Sequence, residues 1–195
     1  MLRWHSSFTP SAAATRQDQF TAYTVTHRTI AGMTPHAQPA RRSAAEQETL
    51  DAALKELFEQ RITFNQTLGL TVVSVAAGAP KMRFAMRPEL VGHYLYGRLH
   101  GGVIASALDA MGSLALMIAI GEAHGHETTE QVLHRFARMG TIDLRVDYLR
   151  PGLGQEFVAT AEVTRLGGRI GSTQMRLANE QATLIATAAA AYMIS

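Results

Sequence analysis

From Val103 to Ile120 the only polar side chains are Ser106, Asp109 and Ser113. Apolar residues at 104, 107, 108, 111, 114, 115 and 118 repeat at the spacing of one helix face. The remaining face is mostly Ala, Val and Met, so the stretch is expected to be a helix buried nearly all round, with the rest of the chain arranged over it. A lone carboxylate on such a helix, Asp109, is costly or shifts its pKa unless it is paired.

The helix is entered through His100-Gly101-Gly102. The first N–H groups of a helix lack partners, and the dipole is positive there. Glycines let a substrate approach those donors, which suits a carbonyl oxygen that is becoming an anion. A carboxylate base and an oxyanion hole are the two parts acyl transfer needs. Gly-Gly before an apolar helix also serves tight packing alone, and a core Asp also serves to cap a loop. Residue types alone leave both readings open. Gly101 and Asp109 are eight residues apart, roughly 12 Å along a helix. That is too far for one acyl group to meet both, so a site that uses both needs a second copy of the chain.

The 195 residues suffice for one domain and a tail. Without cysteine there is no disulfide framework, thiolate chemistry or zinc–cysteine site, and no metal or other cofactor is expected. The net charge of +2 is too small to argue for nucleic acid. Residues 1–42 carry five Arg and one Asp, which leaves the rest slightly acidic. The apolar run is long enough to tempt a membrane reading, but its central Asp109 and the strands after it favour a buried soluble helix. No apolar stretch suits a secretory signal, and a cytoplasmic protein is expected.

Residues 1–42 lack periodicity and are expected to be an unstructured extension, with residues 43–195 as the folded domain. The extension has some transit-peptide character; the simpler reading starts the natural chain at Met33. Ser43-Ala44-Ala45-Glu46 is a capping box. Leu50, Ala53, Leu54, Leu57, Phe58 and Ile62 continue it as one helix ending near Asn65. Leu70 to Ala76 and Lys81 to Arg87 read as strands, the second half-buried through Met82, Phe84 and Met86. Val91 to Arg98 reads as a loop that feeds the central helix. Thr128 to Met139 has a helical pattern. Four strands follow in hairpin order, the first with Ile142, Leu144, Val146 and Tyr148 on one face and Asp143, Arg145 and Asp147 on the other. Ala186 and Ala188 to Ala191 suggest close packing under the central helix. The expected fold is α+β, a curved antiparallel sheet wrapped around one long helix.

That order, with His-Gly-Gly and an Asp nine residues after the His, resembles the hotdog-fold acyl-CoA thioesterases of the PaaI-like branch over about residues 45–195. His100 to Asp109, the run from Arg138-Met139-Gly140-Thr141 to Arg150-Pro151-Gly152, and Ala190-Ala191-Tyr192-Met193 are similar to the bacterial YigI-type medium- and long-chain acyl-CoA thioesterases. The resemblance implies that Asp109 acts as general base or nucleophile. It implies that the Gly101 N–H polarises the thioester carbonyl, that Thr141 helps hold the water, and that a homodimer or homotetramer shares the site. Many relatives carry an Asn before the His-Gly-Gly. Here His93 stands in that region as a carbonyl-holding candidate, with His100 and Gly102 as further substrate-binding candidates. Arg135, Arg138, Arg145 and Arg150 are candidates for the CoA phosphates, or simply a solvated face. Two rival readings share the fold: an enoyl-CoA hydratase or dehydratase using a His–acid pair, and a non-catalytic acyl-CoA-binding regulator.

Overall fold

Ser43 opens the first helix with the expected capping box. Its Oγ accepts the Glu46 N–H, and the Glu46 carboxylate accepts the Ser43 N–H at 2.7 Å. The computed structural model describes residues 40–195, so the expectations for residues 1–39 lie outside the described residues. Arg41 and Arg42, grouped by composition with the extension, reach the end of the central helix. The Arg42 guanidinium donates to the carbonyls of Gly121, His124 and Glu127, at and just past a terminus whose C=O groups lack helical partners.

The helix expected to run to Asn65 is broken. After α1 (Ala44–Glu56) the backbone widens into a π-helical turn, Leu57–Arg61, and stops at the extended Ile62 (φ −87°, ψ 96°). The helix α2 (Thr63–Leu68) then starts afresh and ends on left-handed Gly69. Satisfied end groups explain the break. The Ile62 N–H donates to the Leu57 carbonyl at 3.1 Å, and buried Asn65 donates its Nδ2 to the Phe58 carbonyl at 2.9 Å. The wide turn lets adjacent Leu57 and Phe58 both enter the core.

Strands β1 (Thr71–Ser74) and β2 (Lys81–Ala85) follow, β2 with the expected alternation of Met82 and Phe84 inward. The segment expected as a loop contains a small hairpin, β3 (Val91–His93) with β4 (Arg98–Leu99). It is fastened to the next helix, because the His100 N–H donates to the Leu90 carbonyl at 2.9 Å. Gly92 lies so close that a Cβ there would overlap the His100 backbone. The helices α3 (Gly101–Ala123) and α4 (Thr129–Phe136) come next, then β5 (Gly140–Tyr148), β6 (Glu156–Leu166), β7 (Ile170–Asn179) and β8 (Leu184–Met193).

The other six strands form one antiparallel sheet in the order β1-β2-β6-β7-β8-β5. The helix α3 lies mainly across β6 and β7, which is the α+β hotdog arrangement. It is long and apolar enough by length and composition to cross a membrane, but here it is the core helix, with Leu108, Met111, Leu114 and Leu116 fully buried. Ala186, Ala188 and Ala190 are buried as expected, while Ala189 turns outward.

Two expectations are corrected. The helix is not buried all round: Gly102 is exposed, and Ser106, Asp109 and Ser113 stay half-open along one stripe. The sheet covers one side of α3, and the N-terminal helices cover the other only in part. The second concerns β5. Leu144 and Val146 are half-buried, but Ile142 is 58% exposed. The β5–β8 ladder pairs Asp143 with Ala191 and then Thr141 with Tyr192. Ile142 is therefore an extra residue, a bulge, and every residue before it changes face. Thr141 turns toward α3 as a result. Tyr148, 55% exposed, lies on the sheet's outermost strand.

Candidate active site

Asp109 sits in the middle of α3 and is half-buried rather than a core charge. The Thr141 hydroxyl, brought over by the bulge, donates to Asp109 Oδ1 at 3.0 Å. Beneath them Tyr192, fully buried on β8, donates its hydroxyl to the Asp109 backbone carbonyl at 3.1 Å. Burial above all, and then the Asp109 charge, push the Tyr192 phenol well above the ordinary tyrosine range, so it stays a neutral donor.

The open face of Asp109 gives onto a cleft of about 210 Å³. One wall is Ser106, Asp109 and Ser113, the three polar residues of the apolar run, which fall on one helix stripe. The other wall is Phe58, Ile62, Phe64 and Phe136. Phe58 and Phe136 meet edge to face with centroids 5.6 Å apart. The break at Ile62 is what turns Phe64 over this cleft instead of along a continuing helix. A larger concavity of about 650 Å³ lies elsewhere, lined by Lys81, Arg145 and Arg176, and includes none of these groups.

The second half of the constellation is at the start of α3. His100 is the N-cap, and its Nδ1 accepts the Gly102 N–H at 2.9 Å. An accepting Nδ1 puts the proton of the neutral ring on Nε2. The Gly102 donor is thus spent within the chain. Gly101, at the first helical position, has no helical acceptor for its N–H. The Tyr148 hydroxyl donates to the Gly101 carbonyl at 3.0 Å, which ties this end to β5 as well. His93 lies on the hairpin pressed against His100. Its ring meets Tyr96 at a tilt with centroids 4.8 Å apart, and its Nδ1 is buried with no hydrogen-bond partner among the described residues. Gly101 and Asp109 share one unbroken helix, so a single chain does not bring them together.

The candidate phosphate contacts separate. Arg135 is committed to Glu127 through both carboxylate oxygens and also touches His124. Arg145 pairs with Asp147 at 3.0 Å, and Arg150 donates to the Leu184 carbonyl at 2.9 Å. Arg138 has no side-chain hydrogen bond among the described residues and borders a cavity of about 410 Å³ with His134 and Ser195. The aromatic wall, Tyr148 and Tyr192 were missed as site residues in the sequence. The one available signal was Tyr192 itself, a large side chain closing the alanine run Ala188 to Ala191. Among the described residues no cluster of His, Asp and Glu could hold a metal ion.

A family model described as the thioesterase superfamily matches residues 96–186. The medium/long-chain acyl-CoA thioesterase YigI of Escherichia coli K12 is 39% identical over 149 residues, 75% of this chain and 96% of that protein. Human acyl-coenzyme A thioesterase 13 is 28% identical over 135 residues, 68% of this chain and 84% of that protein. A crystal structure from Shewanella oneidensis, described as related to the thioesterase superfamily, matches with a TM-score of 0.74 at 37% identity. It covers 79% of this chain and 100% of that one.

Proposed function

The chain belongs to the thioesterase superfamily, and from that premise we propose that it hydrolyses medium- to long-chain fatty acyl-CoA to free acid and CoA. One observation carries the reading. A carboxylate, steadied by the Thr141 hydroxyl, opens onto an apolar cleft with an aromatic wall. Such a cleft suits a fatty chain better than a charged one.

In the reaction Asp109 takes a proton from water as the water oxygen attacks the thioester carbon. The carbonyl oxygen becomes an oxyanion facing the Gly101 N–H at the positive end of a helix. Collapse breaks the C–S bond, and the CoA thiolate receives the proton. Alternatively the carboxylate attacks directly and water opens the resulting anhydride; both routes use the same groups. His100 keeps the Gly102 N–H occupied, so the Gly101 N–H is the donor aimed at substrate. His93 is proposed to hold the carbonyl or its neighbour, and Arg138 to meet a CoA phosphate.

The site is proposed to form between two copies. The outer edge of β5 has no strand beside it among the described residues, and its N-terminal end lies at Asp109 through Thr141 while its C-terminal end lies at Gly101 through Tyr148. Antiparallel pairing of two such edges about a twofold axis sets the Gly101 end of one chain against the Asp109 end of its partner.

Free-thiol release from acetyl- to palmitoyl-CoA, with Asp109→Ala alongside, tests the proposal. Release peaking at medium or long chains and lost in the variant supports it. Tight binding with no release from any of them would turn the reading to an acyl-CoA-binding protein.

A further inference from the structure

Beneath the open face of α3 lies a buried polar cluster that the reaction as written does not use. Tyr192 is 0% exposed and Thr173, on the neighbouring strand, 1%. Gly112 is what admits them. A Cβ at 112 would run into Tyr192 Oη and would lie 2.9 Å from Thr173 Oγ1 and 3.1 Å from Met175 Sδ. A buried phenol must find an acceptor. This one has taken the carbonyl of the one acidic residue in the middle of α3, Asp109. A carbonyl oxygen has two lone pairs, so it accepts the helical N–H of Ser113 and the phenol together.

The sheet register adds an independent observation. Tyr192 is the residue directly across the ladder from Thr141. One cross-strand pair therefore grips Asp109 twice, Thr141 by the carboxylate and Tyr192 by the backbone. The grip on the backbone sets where that turn of α3 rests on the sheet, and hence whether Oδ1 is within reach of Thr141.

We propose that Tyr192 is a positioning residue for the Asp109 carboxylate, acting through the Asp109 carbonyl and touching no atom of the substrate. The proposal rests on the thioesterase reading of Asp109. A phenol is protonated throughout the neutral range, and burial of Tyr192 shifts its titration further upward, so it remains a donor there.

Tyr192→Phe removes the hydroxyl and keeps the ring. Thr141→Val and the double variant complete a cycle, with kcat, KM and melting temperature read for each on medium-chain acyl-CoA. The expected result is a kcat about tenfold lower in Tyr192→Phe with KM within about twofold, and a double variant that loses less than the product of the two single losses, because both act on one carboxylate. Gly112→Ala, which displaces Oη while the phenol stays, is expected to lower kcat in the same way and serves if Tyr192→Phe does not fold. Full kcat in folded Tyr192→Phe, beside an inactive Asp109→Asn, overturns the positioning role alone. So do fully multiplicative losses in the double variant. No hydrolysis by the wild-type chain overturns the thioesterase reading, undiminished hydrolysis by Asp109→Asn overturns the assignment of Asp109 alone, and either takes this role with it.

Discussion

The Thr141 hydroxyl lies 3.0 Å from Asp109 Oδ1 because a one-residue bulge at Ile142 turns it toward α3. A hydroxyl donating to a carboxylate orients it and leaves its second oxygen for another partner. Asp109→Asn keeps the shape and the Thr141 contact but removes the base. It should lower kcat by roughly 10²–10⁴-fold with an unchanged melting temperature. Thr141→Val should cost less, about tenfold, because it loosens the carboxylate without removing it. Steady-state thiol release and thermal melting of both variants check this.

Gly101 permits a clean test of the oxyanion donor. His100 is extended (φ −67°, ψ 139°), the conformation required before proline, and proline is tolerated at the first helical position. A Cβ at 101 would meet only the Tyr148 ring at 3.5 Å. Gly101→Pro should therefore fold, lose one N–H, and lose about 10²–10³-fold in kcat, while Gly101→Ala stays near wild type. Co-expressed Gly101→Pro and Asp109→Asn chains should recover about one quarter of wild-type activity, from mixed dimers with one intact shared site. No recovery would overturn the shared site.

Phe136 forms part of the wall of the Asp109 cleft and rests edge-on against Phe58. Phe136→Ala should enlarge the cleft and raise the relative rate on longer acyl chains. It should cost about 2 kcal/mol of stability through lost packing. Chain-length profiles and denaturant titrations of the variant measure both effects.

Glu127 and Arg135 form a partly buried bidentate pair at α4, with the Glu127 side chain 15% and the Arg135 side chain 32% exposed. The Arg135 hydrogen bond, ahead of its charge, holds the Glu127 carboxyl below its ordinary value of 4.5. A carboxyl depressed in the folded state contributes stability above its unfolded pKa and loses it as pH falls through the folded value. Glu127→Gln should therefore cost roughly 1–2 kcal/mol at pH 7. The cost should shrink in acid, at a pH below the folded-state value, where both forms are neutral at this position. Urea unfolding at the two pH values checks the sign.

The long central helix, the carboxylate on it, the glycine entry and the strand hairpins were legible from periodicity and turn residues. Three features that build the site were not. The break at Ile62 depends on Asn65 reaching the Phe58 carbonyl. The hairpin Val91–Leu99 depends on Gly92 lying against His100. Strict alternation sends Ile142 inward and Thr141 outward, the reverse of what the ladder does. Thr141 entered as a candidate through family resemblance, while periodicity argued against it.

Local pattern is enough to show that an apolar helix carries Asp109, that His100-Gly101-Gly102 opens it, and that an antiparallel sheet must cover it. Those features follow from repeats of 3.6 and 2 residues and from turn chemistry, which act over a few neighbours. Which groups reach the carboxylate is settled by long-range packing. Thr141 is 32 residues away from Asp109 and Tyr192 is 83. Whether either side chain faces the helix turns on one bulge in a ladder whose register is set by the partner strand. A one-residue slip reverses a strand's faces at little local cost, so local pattern carries no record of it and packing against α3 chooses.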